Sequence, residues 1–141
     1  MNYLVFLDTH AGELEKILSG IKTMLVKEFD PDRSGAQPVS PGDCLYFLRE
    51  NDGFALRAKA TVVREVRLIN HTDDNLPHIL KEMQPRLQLT EDQFNHWSAK
   101  QRAMLVEFGC TQKITVIRIA PNKVTDRSNW IAFEEFSHIT Q

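Results

Sequence analysis

The stretch from Phe54 to Leu68 alternates apolar and polar residues, and it limits the fold more than any other feature of the chain. Phe54, Leu56, Ala58, Ala60 and Val62 read as one face of a strand, and Arg57, Lys59 and Thr61 as the other. The alternation slips at Val62-Val63-Arg64, which predicts a bulge or a bend. A long strand that bends midway is what a small β-barrel needs to turn a corner.

Shorter signals flank it. Tyr3–Leu7 reads as a buried first strand, and Thr9 is placed to cap a helix bearing Leu14, Ile17, Leu18 and Ile21, with Gly20 as its left-handed stop. Thr23–Phe29 and Cys44–Arg49 read as strands, separated by a loop of turn formers from Asp30 to Asp43. Glu50 to Gly53 reads as a turn, with Asp52-Gly53 favouring a hairpin. After the long strand, Leu76, Ile79, Leu80 and Met83 form a helical stripe, with Pro77 in its first turn. A second helix opens on a Thr90/Gln93 capping box and a Leu89/Phe94 staple. Phe94, Trp97, Met104, Leu105 and Phe108 are expected to supply its buried face, and Gly109 to end it. Lys113–Ala120 reads as a further strand, and Trp130–Phe133 with Phe136 as an aromatic closing segment. The order β-α-β-β-β-α-α-β lacks strict βα alternation. It predicts an α+β fold, a largely antiparallel β-barrel flanked by helices, as one domain over residues 1–141.

Hydrophobic residues make up 42% of the chain and charged residues 26%, which fits an ordinary packed domain rather than a disordered one. The net charge of -2 means that a polyanionic partner must be met by a local patch. The N-terminal apolar run has no basic segment before it and is shorter than a signal or membrane segment, so the expected location is the cytoplasm, with no membrane contact. Neither cysteine sits in a CxxC pair, and both are expected to be reduced. The five histidines lack HxH or HxxxH spacing, and GxSxG and glycine-rich phosphate loops are absent from the sequence. Neither a metal nor a cofactor is expected.

Two features rise above this background. The first is Gly20-Ile21-Lys22-Thr23 at a helix-to-strand junction, followed by Lys27, which an extended strand puts on the same face as Thr23. Spacing alone reads Lys22 as an exposed cation beside a helix C-terminus. The second is a cationic strand face, Arg57 and Lys59, with Arg49 across the expected hairpin. Cations on one sheet face repel each other unless an anion lies between them, and a phosphate backbone would answer that need. A solvated face partly neutralised by Glu50 and Asp52 would answer it equally.

The run Leu14-Glu-Lys-Ile17-Leu-Ser-Gly20-Ile-Lys22-Thr23, followed by Pro41-Gly-Asp43-Cys-Leu45-Tyr-Phe47 and the long alternating strand, resembles the ASCH domain family, which is built on the PUA-like β-barrel. Gly20 and Lys22 match the family hallmark G-x-K-x-x-E-x-R, with Leu25 at its acidic position and Lys27 at its arginine position. Gly42 and Asp43 match the Gly-Asp that opens a strand in the family, and the likeness covers the first half of the chain best. The resemblance implies RNA or nucleotide binding in a cleft beside the hallmark. Lys22, Thr23, Lys27, Arg49, Arg57 and Lys59 would contact the ligand, and Lys22 would stand at the cleft mouth beside Lys27 or the Arg57/Lys59 face.

Some small members of the family resemble amidohydrolases of an acylated cytidine, in which lysine, threonine and glutamate cooperate. Leu25 cannot serve as such a threonine or acid, so only Lys22 carries over, with Glu65 as the candidate acid. The alternative reading is therefore a hydrolase of a modified nucleoside or of RNA, in which Lys22 polarises an amide oxygen and Glu65 moves protons. A third is a non-enzymatic module whose inserted helices dock a protein partner.

Overall fold

The computed structural model describes residues 1–28, 39–49, 53–69, 76–124 and 130–140. Phe29, most of the expected loop from Asp30 onward and the turn at 50–52 lie outside the described residues. The elements are β1 (Asn2–Leu7), α1 (Glu13–Leu18), β2 (Met24–Glu28), β3 (Cys44–Arg49), β4 (Ala55–Ile69), α2 (Leu76–Glu82), α3 (Gln84–Leu87), α4 (Glu91–Ser98), β5 (Arg102–Arg118) and β6 (Ile131–Phe133). Single 3₁₀ turns follow β5 and β6.

All six strands join one sheet in the order β2-β5-β4-β3-β1-β6. Among the described residues only the β1–β3 pair is parallel, and the other four are antiparallel. The expected α+β, largely antiparallel architecture therefore holds, with the sheet curled into a half-barrel. Alternation explains why the sheet is covered on both sides. Tyr3, Val5 and Leu7 of β1 pack with Leu45 and Phe47 of β3 in one core, where Phe47 and Phe108 lie 5.5 Å apart. Leu4 and Leu48, at the intervening positions, pack with Ile119, Phe133 and Ile139 in a second core. A third forms where Leu76, Leu80, Leu87 and Leu89 from the helical region meet Met24, Ala103 and Leu105.

Two departures from the sequence reading have physical causes. In β4 the register shifts between Leu56 and Ala58, between Lys59 and Thr61, and between Val62 and Arg64. The last is the expected slip. The first puts Leu56, with Phe54, in the Ile119 core while Ala58, Ala60 and Val62 join the Phe47 core. Phe54 and Leu56 thus do not share a face with Ala58, because an extra residue in a strand reverses every later side chain.

The second departure concerns the helix that opens at Thr90. Its capping box is present, with Gln93 N–H donating to Thr90 Oγ1 at 3.2 Å and Thr90 N–H to Gln93 Oε1 at 3.0 Å. The helix nevertheless ends at Ser98, and Met104, Leu105 and Phe108 belong to β5. Four successive residues, Ala103 to Val106, are buried, which suits a strand held between β2 and β4 with both faces covered. Short apolar runs fit the helical and the extended template alike. Gly109, expected to stop a helix, instead sits opposite Thr61 in the ladder, and Lys113–Ala120 contributes the far end of β5. Phe94 and Trp97 are half-buried rather than buried.

Thr9 does not cap α1. Gly12, at φ +64°, takes that place, and Asp8 Oδ1 closes the preceding turn by accepting from the N–H groups of His10 (2.9 Å) and Ala11 (3.3 Å).

Candidate functional site

The end of α1 sets the site. Gly20, at φ +83°, reverses the chain as a left-handed residue, a conformation open to glycine at little cost. The N–H groups of Ile21 and Lys22 both turn back to the Lys16 carbonyl, at 3.1 and 3.0 Å. Ile21 is thrown outward, and Lys22 is carried inward until only 1% of it is exposed. Its Nζ lies 3.4 Å from Glu13 Oε2 and donates to the Leu87 carbonyl. Glu13, itself buried, has its other oxygen bound by the Asp8 N–H at 2.7 Å.

The same contacts dock α3 against α1 and β2. Three successive carbonyls at the end of α3 are unpaired within such a short helix and need outside donors. Arg86 O accepts from Thr23 N–H at 3.0 Å, Leu87 O from Lys22 Nζ, and Gln88 O from Lys16 Nζ at 3.0 Å. Burial drives the Lys22 amine below the ordinary lysine range. The charge and hydrogen bond of Glu13 oppose that fall, and the neighbouring charge of Lys16 adds to it.

Above this pair opens a cleft of about 460 Å³. Its walls come from the end of β1 and the Asp8–His10 turn, from Leu25 to Lys27 of β2, from Leu89, Gln93 and Trp97 of the helical region, and from Trp130. Glu13 and Lys22 complete the lining. Trp130 stands edge-on to Tyr3, ring centroids 6.3 Å apart, and carries the Lys27 ammonium 5.0 Å from its own centroid. The arrangement offers aromatic surface for stacking, a donor–acceptor pair and a second ammonium.

The residues singled out by sequence divide accordingly. Lys22, Lys27 and Leu25 line the cleft. Lys22 meets the Glu13 carboxylate there, not a cluster of cations, and it is not the exposed cation that spacing alone suggests. Thr23 is adjacent but is tied through its backbone, to Arg86 O and from Phe108 N–H. Arg49 turns to Glu15 of α1, with Nη1 to Oε1 at 2.5 Å, and does not line the cleft. Lys59 lies across from Tyr46 and Gln112, and neither it nor Arg57 lines the cleft, because the core on the other side of β4 is filled by Ala58, Ala60 and Val62. Glu65 lies past the bulge and pairs with Arg67 at 3.3 Å, so Glu13 and not Glu65 is the carboxylate beside Lys22.

Glu13, Trp97 and Trp130 are among the residues the sequence reading did not place here. For Glu13 a signal existed, because it stands one position before Leu14 and four before Ile17, on the buried stripe of α1. Among the described residues, no group of three or more His, Cys, Asp and Glu side chains could hold a metal ion, and no helix is long and apolar enough to cross a membrane.

No family model matches the sequence, and no curated protein matches it. Solved structures do match. The ASCH protein of Zymomonas mobilis superimposes with a TM-score of 0.68, at 12% identity, over 99% of this chain and 96% of that one. A tyrosine-to-phenylalanine variant of the Zymomonas mobilis protein gives a TM-score of 0.61 at 14% identity, over 83% of this chain and 75% of that one. The likeness at such identity is one of fold.

Proposed function

On the frame of an ASCH-type, PUA-like fold, we propose that this chain is a cytoplasmic nucleotide- or RNA-binding module that takes one nucleobase into the cleft. The observation that carries the reading is that two tryptophans, Trp97 and Trp130, line the same 460 Å³ cleft as the buried Lys22–Glu13 pair. Cavities of roughly 300–1,000 Å³ hold small ligands of nucleoside size. A base stacked on an aromatic ring contributes about 1–3 kcal/mol, whatever its identity. Lys27, held at Trp130, lies where it can meet a phosphate next to the stacked base.

The test is titration of the protein with each nucleoside monophosphate and with short single-stranded RNA, followed by tryptophan fluorescence and repeated at several salt concentrations. Saturable quenching that weakens with salt is expected. Absence of saturable binding by every one of these ligands rejects the reading.

One observation favours a second reading, hydrolysis of an acylated nucleoside. A buried amine whose proton affinity is lowered stands beside a carboxylate in the cleft, and such a pair can hand a proton between its members. Lys22 would polarise the amide oxygen and Glu13 would move the proton from an attacking water to the leaving amine. The products are a carboxylic acid and the free nucleoside amine. Incubation with an N-acylated cytidine, with product separated by chromatography, decides it. Turnover lost in Lys22→Ala supports hydrolysis, and no turnover by the unaltered protein rejects it.

A further inference from the structure

The charges that line the cleft balance. Lys22 and Lys27 bring two ammonium groups, and Asp8 and Glu13 bring two carboxylates. Their positions differ, and the difference matters. Lys22 and Glu13 lie together at the buried end, 3.4 Å apart. Lys27 is only half-buried and rests on Trp130. Asp8 is exposed, with Oδ1 occupied by the His10 and Ala11 amides. His10 is the remaining titratable group in the lining, and Lys16, whose charge also reaches Lys22, is engaged with Gln88 O.

A phosphate entering the buried end would have to approach the Glu13 carboxylate as closely as the Lys22 ammonium. Like charges meeting where water is excluded repel each other strongly. An uncharged carbonyl meets no such barrier. The ammonium has three N–H groups, and its contacts with Glu13 and Leu87 account for two. Glu13 is held in this position by its second oxygen, which accepts from the Asp8 amide at 2.7 Å.

We propose that Glu13 is a specificity-determining residue of the cleft: it cancels the charge of Lys22 so that the buried end rejects phosphate and accepts an uncharged carbonyl. A nucleotide is thereby oriented with its base inward and its phosphate out toward Lys27. The orientation rests on the nucleotide-binding reading above, whereas the exclusion of phosphate does not.

The experiment compares the unaltered chain with Glu13→Gln, using cytidine, cytidine 5′-monophosphate and inorganic phosphate as probes in calorimetric competition. In the unaltered chain, phosphate is expected to leave cytidine in place. In the variant the carboxylate that repels an anion is gone, so phosphate should bind roughly tenfold tighter and displace the nucleoside. Phosphate competing in the unaltered chain, or an unchanged preference in the variant, overturns the proposal. If neither cytidine nor its monophosphate binds the unaltered chain, the nucleotide reading fails by itself. Phosphate exclusion is then judged directly, supported if the variant alone binds phosphate and overturned if the two behave alike. Should the variant not fold, the ¹³Cε resonance of Lys22 in the unaltered chain gives the answer. It should stay unmoved on addition of phosphate, and a saturable shift overturns the proposal.

Discussion

Lys27 holds its ammonium 5.0 Å from the centroid of Trp130, and Trp130 in turn stands edge-on to Tyr3. One wall of the cleft is therefore the Lys27–Trp130 pair, braced from behind by the buried ring of Tyr3. Trp130→Ala should lower nucleotide affinity by about 1–3 kcal/mol, as the loss of a stacking partner does. Lys27→Ala should have a smaller effect and flatten the salt dependence by about one contact. Calorimetry at several salt concentrations separates the two, since only the lysine variant should change the slope.

The Lys22–Glu13 pair also makes a stability prediction. Lys22→Met leaves the Glu13 carboxylate and the Leu87 carbonyl without this donor in a site that excludes water. We expect a loss of about 3–5 kcal/mol in urea unfolding, part of it regained in Glu13→Leu/Lys22→Met, because the double variant no longer buries an unpaired carboxylate, while the Leu87 carbonyl and the Asp8 amide stay without their partners. A double variant no more stable than the single one refutes this account. The pH dependence has a definite sign. Because folding lowers the proton affinity of Lys22, the unfolded chain holds more protons between the depressed value and the ordinary lysine value. Stability from this group therefore rises with pH across that window and is flat below it.

The tyrosines act in the opposite sense at alkaline pH. Burial, and secondarily the charge of Asp43, raises Tyr3, while burial and secondarily Cys44 raise Tyr46. Both favour the neutral phenol in the folded state, so their contribution is intact below the unfolded value of about 10 and is lost as pH rises from there through the folded values. These are the only two tyrosines in the chain. Phenolate absorbance should thus show all ionisation displaced upward in the folded protein and returned to about 10 in denaturant. A folded-state titration that overlays the denatured one contradicts the burial argument.

Trp97 lines the cleft and rests on the Leu80–Leu87 core while remaining half-buried. Its truncation to alanine should cost roughly 1–2 kcal/mol, below the 3–5 kcal/mol or so of a fully packed tryptophan. Nucleotide affinity should fall in parallel. A stability change with no change in affinity would place Trp97 in the core alone.

Where alternation was long or turn chemistry was explicit, the sequence was sufficient. Cys44–Arg49 was delimited to the residue, β4 was found within one residue at each end, and the Thr90/Gln93 cap was recognised. The cleft was legible only in part. Gly20 and Lys22 marked the junction, because a left-handed glycine and the lysine two positions later form a local pattern. What Lys22 touches is not local. Its carbonyl partner, Leu87, lies 65 positions away, and nothing in the residues around Lys22 points to it. Arg57 and Lys59 do not line the cleft for another reason: Ala58, Ala60 and Val62 take the core side of β4, and alternation alone does not tell which side of a sheet borders a cleft. Trp130 packs against the core, as expected of an aromatic closing segment, and borders the cleft as well, a second role that nothing in a short apolar segment signals.

The position of β1 has a consequence for synthesis. One of its edges pairs with β3, and among the described residues the other is closed by Ile131–Phe133. During translation the outer edge of β1 stays unpaired until some 130 further residues have followed it. For that interval Tyr3–Leu7 presents an apolar strand with open backbone groups, a template for pairing with other nascent chains. The protein should therefore be more prone to aggregate while it is being made than once it is complete, and substitutions at Ile131 or Phe133 should lower soluble yield more than they lower the melting temperature of the chains that fold.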